Sequence, residues 1–299
     1  MNPLRLRVDV CTRRGLEVGV PGILQVLRRV RARATFFVTF GPDSSGLAIL
    51  QMLNPRFALK MMRTRAGSMY GWKTALYGTV LPAPLVGSDA PDLVRRIREE
   101  GHEVGMHGWD HRRWQDWLPD LSPDRLRTEF GRMMDAYRDA LGVEPASFAA
   151  PAWRLSRPLF DLTQGAGLRY GSDSRGTSPF LPVYEGCPGT VPQYPVTLPT
   201  LDECLGRMSA ERFFDRLVAL SGEQTGYSCY TAHADGEGED YAPLLEQFLS
   251  KVGRPVEPLG ELSAGSLRRH ELRSGYVEGR PSAVALQGTI IPGPWAGRP

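Results

Sequence analysis

The chain has 299 residues, with 41% hydrophobic and 23% charged residues and a formal net charge of +3. These are values for an ordinary globular protein of one large α/β domain or two small ones, and so slight a charge gives no argument for a nucleic-acid partner. No run of about 18 apolar residues is present to span a bilayer, and the N-terminal "MNPLRLRVDV" has neither the apolar core nor the small-residue cleavage site of a secretory signal.

Taken in chain order, strand-like and helix-like stretches alternate, the pattern of parallel strands joined by helical crossovers. "LRLRVDV" (4–10) reads as a first strand. Pro21 opens a helix carrying Ile23, Leu24, Leu27 and Val30 on one face. "ATFFVTF" (34–40) reads as a buried strand, 92–100 as a helix ended by Gly101, and "HEVGM" (102–106) as a third strand. Ser122 before Pro123 is a helix start, followed by Leu126, Phe130, Met133, Tyr137 and Leu141 at helical spacing. Further strands are predicted at "ASFAA" (146–150), "LRYGS" (168–172), "TVPQYPV" (190–196), "YSCYTA" (227–232) and, more weakly, "PVEPL" (255–259), with helices near 209–221 and 242–252. Seven or eight such strands suit a distorted or incomplete (β/α) barrel over residues 1–264. Residues 42–90 read as an insertion and 265–299, rich in Gly, Pro and Arg, as a disordered or loosely draped tail. The four cysteines form no CxxC pair, and with no export signal a reduced state in the cytoplasm is expected.

In a parallel barrel the chemistry gathers at the C-terminal strand ends. Asp9 and Cys11 follow the first strand, His107 and His111 the third, Trp153 and Arg154 the fourth, Asp173 and Arg175 the fifth, and His233 ends "YSCYTAH". Two imidazoles four residues apart also occur as unrelated groups on a helix face, and an Asp after a strand often caps a turn. Ionisable groups at five strand ends at once are harder to explain by solubility. Two neutral imidazoles and an anionic donor can hold a divalent cation that activates water. Asp9 could then take the water's proton and His233 protonate a departing amine. An arginine and an aspartate, with Arg154 and Asp173 as candidates, could hold the base ionised and the acid protonated. The chemistry is amide hydrolysis. His102 precedes its strand and reads as structural, and His270 has no assigned role.

"RVDVCT", "EVGMHGWDH", "AAPAWR", "YGSDSRG" and "YTAHADGEG" resemble, in order, the five motifs of the NodB-homology polysaccharide deacetylases. "RGLEVGVPGIL", "YGW", "HGWDHRRWQ", "CPGT" and "PVTLPTLDE" extend the likeness to a deformylase branch, over about residues 4–263. The resemblance implies a distorted (β/α) barrel and removal of an N-formyl group from an amino-sugar on a polyprenyl phosphate, with 4-formamido-arabinose on undecaprenyl phosphate as the expected substrate. It further implies His107 and His111 as metal ligands, Asp9 as base paired with Arg154, and His233 as acid tuned by Asp173. The family has Asp where this chain has Cys11. Cys11 is either a thiolate ligand, which would favour zinc, or a small buried thiol. An N-acetyl amino-sugar is the alternative substrate. A non-catalytic sugar-lipid binding protein with a decayed metal site is the alternative of another class.

Trp109, Trp114 and Trp153 could stack on a sugar or pack in the core; Arg175 could hold a phosphate or brace its loop. Residues 47–67 mix Leu, Ile, Met and Phe with Arg56, Lys60, Arg63 and Arg65, and Tyr70, Trp72 and Tyr77 follow. Such a stretch suits peripheral contact with an anionic membrane at the inner face of the cell membrane, with Tyr70 and Trp72 near the substrate, or a lid helix with its basic side solvated.

Overall fold

The computed structural model describes residues 2–47, 76–224, 226–263 and 265–288. Strand β1 (Leu4–Val10) is central and buried along its whole length. Its alternation sets Leu4, Leu6, Val8 and Val10 on one face and Arg5, Arg7 and Asp9 on the other. After a π-helical turn, α1 (Val20–Val30) packs Ile23, Leu24 and Leu27 into the core. Strand β2 (Thr35–Val38) pairs parallel with β1, setting Asp9 beside Phe37. Helix α2 (Pro91–Glu99) leads to β3 (Glu103–Met106), α3 (His111–Trp117) and the long α4 (Pro123–Leu141). The chain continues through β4 (Ser147–Phe148), α5 (Arg157–Gly165), β5 (Tyr170–Gly171), β6 (Leu181–Tyr184) and β7 (Cys187–Pro188). Helices α6 (Leu201–Cys204) and α7 (Ala210–Glu223) precede β8 (Ser228–His233). Helices α8 (Ala234–Glu237) and α9 (Ala242–Lys251) and strand β9 (Val256–Glu257) follow.

Seven strands form one parallel sheet in the order β5-β4-β3-β2-β1-β8, with β9 paired to the start of β1. Helices cover its outer face, giving the incomplete (β/α) barrel expected. The predicted strand at 190–196 is not one. Residues 191–198 instead run between the two sheet edges, with Tyr194 N donating to Gly171 O (2.8 Å) and Leu198 N to Cys229 O (3.1 Å). Pro192 and Pro195 lack the N–H groups a continuous ladder needs, so only isolated bridges form, such as Gly171 with Gln193.

The expectation of a disordered tail is corrected for the described residues beyond 264. Strands β10 (Arg269–Gly275) and β11 (Val284–Gln287) join a second sheet in the order β11-β10-β6-β7. The apolar positions in these short strands, Leu272, Val284 and Leu286, are buried. β11 brackets the loop after β5, where Arg175 N donates to Ala285 O and Gln287 N to Arg175 O, both at 2.9 Å. In the insertion, Asp43 N donates to Pro84 O (2.8 Å) and Gly46 N to Tyr77 O (3.0 Å), tying its two ends together. Tyr70, Trp72 and residues 48–67 of the basic stretch lie outside the described residues. No helix among the described residues is long and apolar enough to cross a membrane.

Candidate metal centre and active site

Asp9 and His233 are neighbours because they face each other in the parallel register of β1 and β8. His107 follows β3 and prolongs its ladder, its N–H donating to Val38 O at 2.9 Å. His111 opens α3, whose N-cap Asp110 accepts from Arg113 N at 3.0 Å. Between the two imidazoles, Gly108 turns the chain at φ 78°, where a Cβ would lie 2.8 Å from Pro151 Cγ. This turn lets a strand end and a helix start aim their rings at one point, with centroids 4.9 Å apart.

Among the described residues, Cys11, His107 and His111 form a group with one donor atom each, all within 4.8 Å of one another. His107 Nδ1 lies 2.8 Å from Ala149 O, so the proton belongs on Nδ1 and the lone pair on Nε2. That Nε2 is buried and has no hydrogen-bond partner. Burial lowers the His107 pKa to about 4 and that of His111 well below its usual value, the latter helped by the neighbouring His107. Both rings are therefore neutral near pH 7, as ligands must be. Cys11 is half-buried, and burial together with the nearby Asp9 and Asp235 carboxyls pushes its thiol pKa well up. A bound cation would reverse that preference. The donor set and the orphaned lone pair fit a divalent metal.

Asp9 Oδ2 lies 3.5 Å from His107 Nε2. Burial alone would raise the Asp9 pKa, but the Arg7 guanidinium, with His107, holds it well below the carboxylate range. Arg7 donates Nε to Oδ1 (2.6 Å) and Nη2 to Oδ2 (2.7 Å), while its Nη1 donates to Ser172 O (2.5 Å). Arg154, expected to pair with Asp9, donates its Nη1 to Ala283 O (2.9 Å), and the partner of Asp9 is Arg7. The signal was present in the sequence, since residues two apart on a strand share a face.

Asp173, expected beside His233, instead accepts from Ala150 N and Gln193 Nε2, each at 2.8 Å. It is buried, and desolvation lifts its pKa to about 6 against the pull of these donors and Arg7. The carboxylate facing His233 is Asp202, with Oδ1 3.9 Å from Nδ1, beyond hydrogen-bond reach. His233 Nδ1 itself is buried and unpartnered. Glu237 fixes the strand end by accepting from His233 N (3.1 Å). His233 keeps 24% of its side chain exposed, against 0% for His107 and 4% for Asp9, and is the most open of these three.

Trp153 is 2% exposed and cannot offer a face to a sugar. Its ring lies under three guanidinium groups, those of Arg7, Arg175 and Arg280, at 5.4, 5.0 and 4.5 Å. Arg175 is buried and braces its loop, donating Nη1 to Glu203 Oε1 (2.6 Å) and Nη2 to Leu198 O (2.9 Å). Trp114 is fully buried, its indole N–H donating to Glu129 Oε2 (2.6 Å). Among the described aromatic candidates for sugar stacking, Trp109 alone keeps exposure, although it also packs against the core. His102 is buried beneath the sheet, its Nδ1 accepting from Ala34 N (3.4 Å), in keeping with a structural reading.

A parallel half-barrel that brings Asp9, His107, His111 and His233 to its strand ends has the groups that metal-assisted amide hydrolysis needs. The chain belongs to the polysaccharide deacetylase family, whose model matches residues 9–171. A Shewanella sediminis protein named "Probable 4-deoxy-4-formamido-L-arabinose-phosphoundecaprenol deformylase ArnD" is 36% identical, over 82% of this chain and 79% of its own. A protein of the same name from Wigglesworthia glossinidia brevipalpis is 30% identical, over 79% and 83%. Among solved structures, the Bacillus cereus polysaccharide deacetylase Bc1974 shares the fold, with a TM-score of 0.52 at 15% identity over 89% of this chain and 96% of its own.

Proposed function

We propose that this chain is a zinc-dependent hydrolase that removes the N-formyl group from 4-formamido-arabinose carried on undecaprenyl phosphate. The observation that carries the reading is the buried, unpartnered Nε2 of His107, held in one cluster with His111 and Cys11 and 3.5 Å from Asp9. The two relatives whose names carry this activity support it over most of the chain. Cys11, His107 and His111 would hold the ion, and a thiolate beside two imidazoles favours zinc over harder cations. Bound there, zinc would polarise the formyl oxygen and acidify water near neutral pH.

The chain's own groups do the proton work. Asp9, kept ionised by Arg7, takes the proton of the attacking water as oxygen adds to the formyl carbon. His233 gives a proton to the sugar nitrogen as the C–N bond breaks. Formate and a free amine leave, and the neutral sugar becomes cationic. Asp202, rather than Asp173, is the carboxylate placed to orient His233 through Nδ1; the 3.9 Å gap is the loose geometry common before substrate binds. Trp109 is the candidate for contact with the sugar. The basic stretch of 47–67, with Tyr70 and Trp72, would bring the protein to the anionic inner face of the cell membrane, where the lipid-linked sugar lies.

The test is formate release from the polyprenyl-linked 4-formamido sugar in vesicles, with the N-acetyl sugar as comparison. Formate should appear faster than acetate, and faster from anionic than from neutral vesicles. Asp9→Asn should keep its zinc yet slow by about 100- to 10,000-fold, the usual weight of a general base. Acetate as the preferred product would change the acyl group, and equal rates on the two vesicle types would remove the membrane reading. A zinc-loaded parent that binds the sugar-lipid without turnover would make the chain a binding protein.

A further inference from the structure

The C-terminal hairpin reaches the acid side of the pocket. Between β10 and β11, Arg280 is inserted with 9% of its side chain exposed. Its Nε donates to Glu203 Oε1 (2.8 Å), its Nη2 to Thr200 Oγ1 (2.9 Å) and Asp202 Oδ1 (3.2 Å), and its Nη1 lies 3.0 Å from Asp202 Oδ2. The guanidinium plane rests on Trp153. Gly279 makes the approach close enough: at φ 88°, its Cβ would lie 2.2 Å from Glu203 O.

Charge balance separates the roles of the two nearby arginines. Arg175 already pairs with buried Glu203 at 2.6 Å. Arg280 adds a second cation and uses it on both oxygens of Asp202, whose side chain is 41% exposed and whose Oδ1 also accepts from Thr200 Oγ1 at 2.6 Å. The Oδ1 so fixed is the atom facing the unpartnered Nδ1 of His233. Orientation of an acid by a held carboxylate is worth most where its proton must arrive in line with a leaving group.

We propose that Arg280 is a positioning residue for the general acid: it fixes Asp202, and through it the direction in which His233 delivers its proton. The hairpin carrying it is thus part of the working site, although it follows the residues matched by the family model. This inference rests on the amidohydrolase reading above. Its signature is dependence on the leaving group. A sugar amine must be protonated to depart, whereas the phenolate of an aryl formate ester departs without help.

The experiment compares zinc-loaded, full-length parent, Arg280→Met, Arg280→Lys and Asp202→Asn on the formamido sugar-lipid and on an aryl formate ester. Arg280→Met should lower kcat on the amide about 100-fold, near the low end for a general acid, while KM and ester turnover change less than about threefold. Arg280→Lys should fall between. Asp202→Asn should show the same selective loss, and combining it with Arg280→Met should add little, because both act on one proton delivery. Equal losses on amide and ester, or an amide kcat within about threefold of the parent, overturns the proposal while leaving the hydrolase intact. A parent inactive on the amide overturns both. If Arg280→Met does not fold, the selective loss in Asp202→Asn, where the altered side chain is partly exposed, decides the matter.

Discussion

Arg7 and Asp9 form a buried pair whose two charges are nearly sealed from water, at 0% and 4% side-chain exposure. Taking one partner away leaves the other's charge uncompensated in a medium that solvates it poorly. Arg7→Met should therefore destabilise the fold by about 3–5 kcal/mol, the usual cost of breaking a buried pair, and it should raise the Asp9 pKa by removing the cation that lowers it. Arg154→Met, which gives up one donated bond to Ala283 O, should cost about 1 kcal/mol. Urea unfolding of the two variants separates them; equal losses would mean that Arg7 is not the partner the base depends on. At this scale, much of the site was legible. Asp9, His107, His111 and His233 stand where strands end, and parallel pairing brings strand ends together. The supporting pair was misread for different reasons. Arg7 stands two residues before Asp9 on the same inward face of β1, a position that strand-end patterns do not mark. Asp202 sits on the single-turn helix α6, and no local pattern tells which distant imidazole its carboxylate will face.

The turn from β3 into α3 sets the angle between the imidazoles of His107 and His111. Gly108 holds a left-handed conformation there, against Pro151 and Trp114. An alanine at this position would carry the left-handed penalty and press on a proline ring that has little room to yield. Gly108→Ala should cost about 1–3 kcal/mol in thermal unfolding, the range for a residue held in a rare conformation, and should weaken zinc uptake. Unchanged stability and zinc affinity would show that the turn is free to adapt. Helices α1, α2, α4, α7 and α9 and strands β1, β3 and β8 are legible in the sequence with small shifts of boundary, because their apolar patterns are strong signals, whereas no helix is predicted at α3, α5, α6 or α8. The segment 190–196 was read as a strand because it has strand-forming residues on its two flanks. It occupies a strand's place between the sheet edges, but its prolines deny it the ladder.

For the molecule as a whole, the half-barrel is closed by elements that sequence patterns describe poorly. Residues 265–299 are rich in Gly, Pro and Arg and have no clear period, and β10 (RHELRSG) carries a single large apolar residue, Leu272. Leu272 and the apolar positions of β11 are buried against a surface built by distant segments, and such burial is visible only once the chain has closed. The second sheet and the barrel then share the Trp153 neighbourhood, where Arg7 pairs with Asp9 and Arg280 with Asp202. A cation at the strand-end rim of the barrel would join the two rings of the "HGWDH" stretch to Cys11 at one point. The most direct test is the zinc content of protein dialysed against excess metal and then desalted, for the parent, His107→Ala and Asp9→Asn. The account predicts about one zinc per chain in the parent and in Asp9→Asn, and almost none in His107→Ala, since a site with three protein ligands depends on each of them. A parent without zinc, or a His107→Ala protein that retains as much as the parent, would contradict it.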